Sequence, residues 1–61
     1  MNATEKKAVA AMNKAGFTFY GDAMFRTFAQ AKRCLDGLVR KGYAEMVGGE
    51  FKLTLAGKEA A

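Results

Sequence analysis

Two glycine signals limit what this chain can become. Tyr43-Ala44-Glu45-Met46-Val47 and Glu50-Phe51-Lys52-Leu53-Thr54-Leu55 are strand-like runs, and only Gly48-Gly49 separates them. A two-residue connection needs positive φ at its centre, which glycine adopts without steric cost, so the stretch predicts a tight antiparallel hairpin. Just upstream, Gly42 closes a helical pattern. Phe28, Ala31, Leu35, Leu38 and Val39 recur at three- and four-residue spacing and therefore share one side of a helix. Thr27 is placed to cap its first N–H groups, with Gln30 reaching back in capping-box fashion. The opposite side carries Ala29, Gln30, Arg33, Gly37, Arg40 and Lys41.

The rest of the chain reads as packing for that unit. Asn2 precedes Glu5 by three residues, a second capping-box spacing, with Thr4 as an alternative cap. A helix is predicted over residues 3–15, with Ala8, Val9, Met12 and Ala15 on one face, Lys6, Lys7, Asn13 and Lys14 on the other, and Gly16 as the stop. Phe17–Tyr20 is β-prone and predicts a short strand. Gly21-Asp22 breaks it, and Ala23–Arg26 has room for about one turn of a shortened second helix. Thr54 caps a closing turn through Ala60, weakened by Gly57. The expected core is Val9, Met12, Phe25, Phe28, Leu35, Leu38, Val39, Tyr43, Phe51, Leu53 and Leu55.

Length and charge narrow the function. A chain of 61 residues makes one domain spanning residues 1–61, and at this size only about 60% of the unfolded surface is buried. Ten Lys and Arg against six Asp and Glu give +4, which favours a polyanionic partner. There is no histidine to act as a general base, and the single Cys34 has no partner for a disulfide. The carboxylates are scattered without calcium-loop or hydrolytic spacing, and no phosphate-binding loop occurs. The expectation is a protein that is not an enzyme and holds no metal or cofactor. Cys34, at the edge of the apolar face, is expected to pack as a small hydrophobe. No apolar run approaches the roughly 20 residues that span a bilayer, and no signal peptide is seen, so a reducing cytoplasm is expected.

Leu35-x-x-Leu38-Val39-x-x-Gly42-Tyr43 and Phe51-x-Leu53-Thr54-x-x-Gly57-Lys58-Glu59 occur at a spacing that resembles the helix exit and wing exit of winged helix-turn-helix domains, in particular MarR-like and related bacterial regulators. The resemblance covers the last half of the chain, and the first half by element order. It implies an α+β fold, a winged helix-turn-helix of three helices with a small antiparallel hairpin as the wing, in which the Phe17–Tyr20 strand pairs with the edge of the ribbon. The chain departs from the family in its short second helix. It departs again at the tip Val47-Gly48-Gly49-Glu50, where wings that grip DNA usually carry Arg or Lys.

The same resemblance implies binding to double-stranded DNA by a small transcriptional regulator or excision-type accessory factor, with the Thr27–Lys41 helix as the recognition helix. Gln30 and Arg33 would then read base edges in the major groove, Thr27 and Lys32 would contact phosphate, and Gly37 would permit close approach. Arg40 and Lys41 would reach the flanking backbone, and Lys52 is the one basic residue of the ribbon. The alternative is a winged-helix module that docks on a protein partner, such as a small phage or mobile-element protein acting on a host complex, through aromatic and basic surface. With no spare helix for a coiled coil, a monomer in isolation is expected, leaving dimerisation on DNA open.

Overall fold

The computed structural model describes residues 1–61. Its first helix, α1, runs Ala3–Ala15, and both ends are the ones its sequence specifies. Asn2 Oδ1 accepts the Glu5 N–H at 2.8 Å while Glu5 Oε1 accepts the Asn2 N–H at 3.0 Å, completing the capping box. Gly16, at φ 93°, ends the helix by donating its N–H to the Met12 carbonyl.

The second helix, α2, spans Phe28–Arg40. Thr27 Oγ1 accepts the Gln30 N–H at 3.0 Å, as expected of the cap. Gln30 does not close a box on Thr27, because its Oε1 instead accepts the N–H of Arg26, at 2.8 Å. At the other end Gly42 adopts φ 84°, its N–H meets the Val39 carbonyl at 3.0 Å, and the Tyr43 N–H meets that of Leu38 at 2.9 Å. This paired closure satisfies the last carbonyls and turns the chain into the ribbon.

The ribbon pairs β1, Ala44–Val47, with β2, Glu50–Leu53, in the antiparallel register Ala44↔Leu53, Glu45↔Lys52, Met46↔Phe51, Val47↔Glu50. Gly48 and Gly49 both have positive φ, which gives the hairpin its predicted two-residue turn. Ala44, Met46, Phe51 and Leu53 share the inner face, while Glu45, Val47, Glu50 and Lys52 share the outer one.

The strand expected at Phe17–Tyr20 contracts to a single bridge. Thr18 exchanges both backbone hydrogen bonds with Phe51, at 2.9 and 2.7 Å, on the side of β2 away from β1. Asp22 is what stops it. Its Oδ2 accepts from Thr18 Oγ1 at 2.8 Å, its Oδ1 accepts the Met24 N–H at 3.2 Å, and its backbone bonds Phe19 and Phe25. Such local bonds hold a chain in turns rather than helix. The short second helix expected at Ala23–Arg26 is therefore absent, and the third helix of the fold is instead α3, Leu55–Ala60. Thr54 starts it by accepting the Gly57 N–H at 3.1 Å and donating its hydroxyl to the Gly42 carbonyl at 2.6 Å.

The fold is thus α+β, with three helices and one antiparallel hairpin. No helix is long and apolar enough to cross a membrane. Its core joins Ala8, Val9 and Met12 of α1, Ala31, Cys34, Leu35 and Leu38 of α2, Ala44, Phe51 and Leu53 of the ribbon, and Phe25. Tyr43 packs against it half-buried. Phe28, Val39 and Leu55 were expected inside and are exposed. Phe28 and Leu55 are the first residues of their helices, beyond the reach of the layer below, and Val39 lies on the flank of α2. Two polar groups lie inside the fold instead, Thr18 and Glu5.

Candidate nucleic-acid interface

The side of α2 that turns from the core runs beside the start of α1. Gln30, Arg33, Gly37, Arg40 and Lys41 line a shallow groove there with Asn2, Thr4 and Glu5, and Cys34 reaches it from the helix flank. Five of the eight expected DNA contacts thus meet in one place. The other three do not. Thr27 holds the helix cap, Lys32 lies across the helix in an ion pair with Asp36 at 3.4 Å, and Lys52 is on the outer face of the ribbon opposite Glu45.

Glu5 organises this groove although nothing in its local sequence shows that it would. It is only 5% exposed, and both carboxylate oxygens accept from Lys41 Nζ, at 3.0 and 2.9 Å. The Asn2 N–H first, and then Lys41, hold its carboxyl below the usual glutamate range against the opposing effect of burial. Gly37 now has an internal reason. A Cβ there would lie 3.2 Å from Glu5 Oε2, so the close approach it permits is that of α1 rather than of a partner. Burial, and then Glu5, push the Cys34 thiol up to about 11, which leaves it protonated and apolar in character.

A folded-state carboxyl held below its unfolded value adds stability above the ordinary carboxylate range, and that stability disappears as pH falls through the lower value. Glu5 behaves so, and Asp36 shifts the same way because the Tyr20 hydroxyl donates to it at 2.6 Å, with Lys32 beside it. The melting temperature is therefore expected to drop below about pH 4. Glu5→Gln should lower it at neutral pH and flatten that acid limb; an unchanged limb would show that Glu5 carries none of it.

With Lys41 held by Glu5 and Lys32 by Asp36, the cations of α2 left out of any ion pair are Arg33 and Arg40. They are seven residues apart on one line of the helix, about 10 Å along its axis. Gln30, whose carbonyl oxygen bonds the Arg26 N–H, keeps its NH₂ group for another acceptor. The side therefore presents two unpaired guanidiniums and an amide donor to acceptor-rich surfaces. No three His, Cys, Asp or Glu side chains converge as a metal site. Comparison of the chain with protein-family models, curated proteins and solved structures finds no match in any of the three.

Proposed function

We propose that this protein is a small duplex-DNA-binding module of the winged helix-turn-helix type, a transcriptional regulator or excision-type accessory factor that reads DNA with α2. The observation that carries the reading is the outward side of α2, where Arg33, Arg40 and Gln30 face solvent while the acids near them are each engaged by lysine. Element order supports it: a helix, a bridge to the far edge of the ribbon, a turn segment, the outward helix and then the hairpin. In this reading Asp22-driven turns stand in the place of the family's second helix, and the neutral-to-acidic tip from Val47 to Glu50 leaves recognition to α2.

Duplex binding measured by fluorescence anisotropy across a salt series tests it. Affinity should fall with salt in proportion to the phosphates engaged. Arg33→Ala is expected to lose about 1–3 kcal/mol on the preferred sequence and to flatten discrimination, as loss of a bidentate base contact does. Arg40→Ala should weaken all sequences alike and reduce the salt slope by about one unit. Absence of duplex binding at low salt, or indifference to both variants, would end the DNA reading. The exposed Phe28, Val39 and Met46 favour the second reading, docking on a protein. A complex recovered from lysate with equal yield after nuclease treatment would support that alternative.

A further inference from the structure

The other flank of α2 carries a pattern that Arg33 and Gln30 do not use. Phe28, Lys32, Asp36 and Arg40 recur every four residues and form one continuous ridge. Phe28, at its start, is 63% exposed although its ring packs with that of Tyr20 in an edge-to-face arrangement, centroids 5.3 Å apart. Lys32 and Asp36 stand exposed and half-exposed at its middle, and Arg40 is exposed at its end. Val39, also exposed, lies beside it.

Read backwards, this ridge complements itself. Laid antiparallel on a second copy, with the two-fold axis between Lys32 and Asp36, it sets Phe28 against Arg40 of the other copy and Lys32 against its Asp36. An arginine on an aromatic face and a lysine on a carboxylate are both attractive pairs. The symmetry repeats each of them, as a closed two-fold interface requires. The four-residue ridge is also the one that helices most often pack against each other. We propose that this protein self-associates through α2, ridge against ridge, as a two-fold dimer.

Arg33 lies about 80° round the helix from the midpoint of Lys32 and Asp36, and only about 20° from Arg40. The dimer takes up Arg40, which the DNA reading also uses, so self-association does not rest on that reading and competes with it for the outward side of α2. The chain exposes 4012 Å² in all, and a stable dimer of ordinary size would cover about 800 Å² of it, more than one helix ridge supplies. The association is accordingly weak, appearing at roughly 0.1–1 mM.

Sedimentation equilibrium of the full chain up to about 1 mM, in duplex-free buffer, is the test. The parent should shift from monomer to dimer over that range. Lys32→Asp alone and Asp36→Lys alone should each remain monomeric, because each sets like charges opposite one another. An equimolar mixture of the two should dimerise, since every charge then meets its opposite. Rescue in the mixture cannot come from the ion pair within one chain, which neither variant retains. If Asp36→Lys fails to fold for want of the Tyr20 contact, Phe28→Lys at its exposed position, which sets a like charge opposite Arg40 of the other copy, should abolish dimerisation with little change in the melting temperature of the dilute monomer. A parent that stays monomeric throughout, a mixture of folded variants that stays monomeric, or a dimer indifferent to Phe28→Lys would each overturn the proposal.

Discussion

Gly57→Ala should unfold the domain at temperatures where the parent is fully folded. Gly57 is buried in the first turn of α3, and a Cβ on it would collide with the backbone carbonyl of Tyr43 and sit 2.9 Å from Leu53 Cδ2. A side-chain tip could swing away, but a carbonyl cannot. That carbonyl also accepts the Thr54 N–H at 3.1 Å, so relieving the clash means lifting α3 and breaking its cap together. Overpacking alone costs about 1–3 kcal/mol and occasionally more, and here the lost cap adds about 1 kcal/mol. Total stability at this length is about 3–9 kcal/mol. Gly49→Ala is the control. It has φ 84° but open space around it, so it should cost only the strain of that backbone, about 1–2 kcal/mol. Thermal melts by circular dichroism that rank Gly57→Ala no worse than Gly49→Ala would disprove the close-approach explanation.

Phe51→Ala should be nearly as damaging, at about 3–5 kcal/mol. Phe51 is the largest fully buried side chain, packs its ring 5.0 Å from that of Tyr20, and carries the backbone bridge to Thr18. Removing it opens a cavity and takes the support from Tyr20, whose hydroxyl reaches Asp36 on α2. The Asp36 hydrogen bond first, and then burial, raise the Tyr20 pKa, so a spectroscopic titration should show it returning toward its ordinary value in any variant that still folds. Phe28→Ala, by contrast, should change stability by less than about 1 kcal/mol, since exposed substitutions rarely do more. Equal losses for the two phenylalanines would contradict the placement of the core.

Capping and turn chemistry were the most legible parts of this sequence. Asn2 with Glu5, Thr27 before its helix, Gly16, Gly42 and the Gly48-Gly49 tip all occupy the roles their local chemistry suggests, because each satisfies backbone groups within a few residues. What the sequence could not show depends on distant partners. Nothing around Glu5 reveals Lys41, so its burial was invisible; Gly57 looked like a weakness, and Gly37 like room for a partner, until Tyr43 and α1 were placed against them. Asp22 misled in a different way. Its side chain organises turns over a stretch whose composition also suits a helix, and single-residue hydrogen bonding won over propensity. Of the candidate contacts, the helical spacing of Gln30, Arg33, Gly37, Arg40 and Lys41 was enough to bring them together. The partners that occupy Lys32 and Thr27 were not readable at that level.

The Glu5 carboxylate joins two contacts of very different reach, and this divides its influence between folding and unfolding rates. Its bond to the Asn2 N–H spans three residues and forms as α1 winds. Its bonds to Lys41 span 36 residues and reward the chain only after α1 and α2 have docked. Lys41→Met should therefore act mainly by speeding unfolding, the behaviour of a contact absent from the transition state. Asn2→Ala, which strips the cap from a helix that forms locally, should fall more heavily on the rate of refolding. The two variants, one on each side of Glu5, would then report, through the two arms of a denaturant chevron, on the order in which the first helix forms and docks.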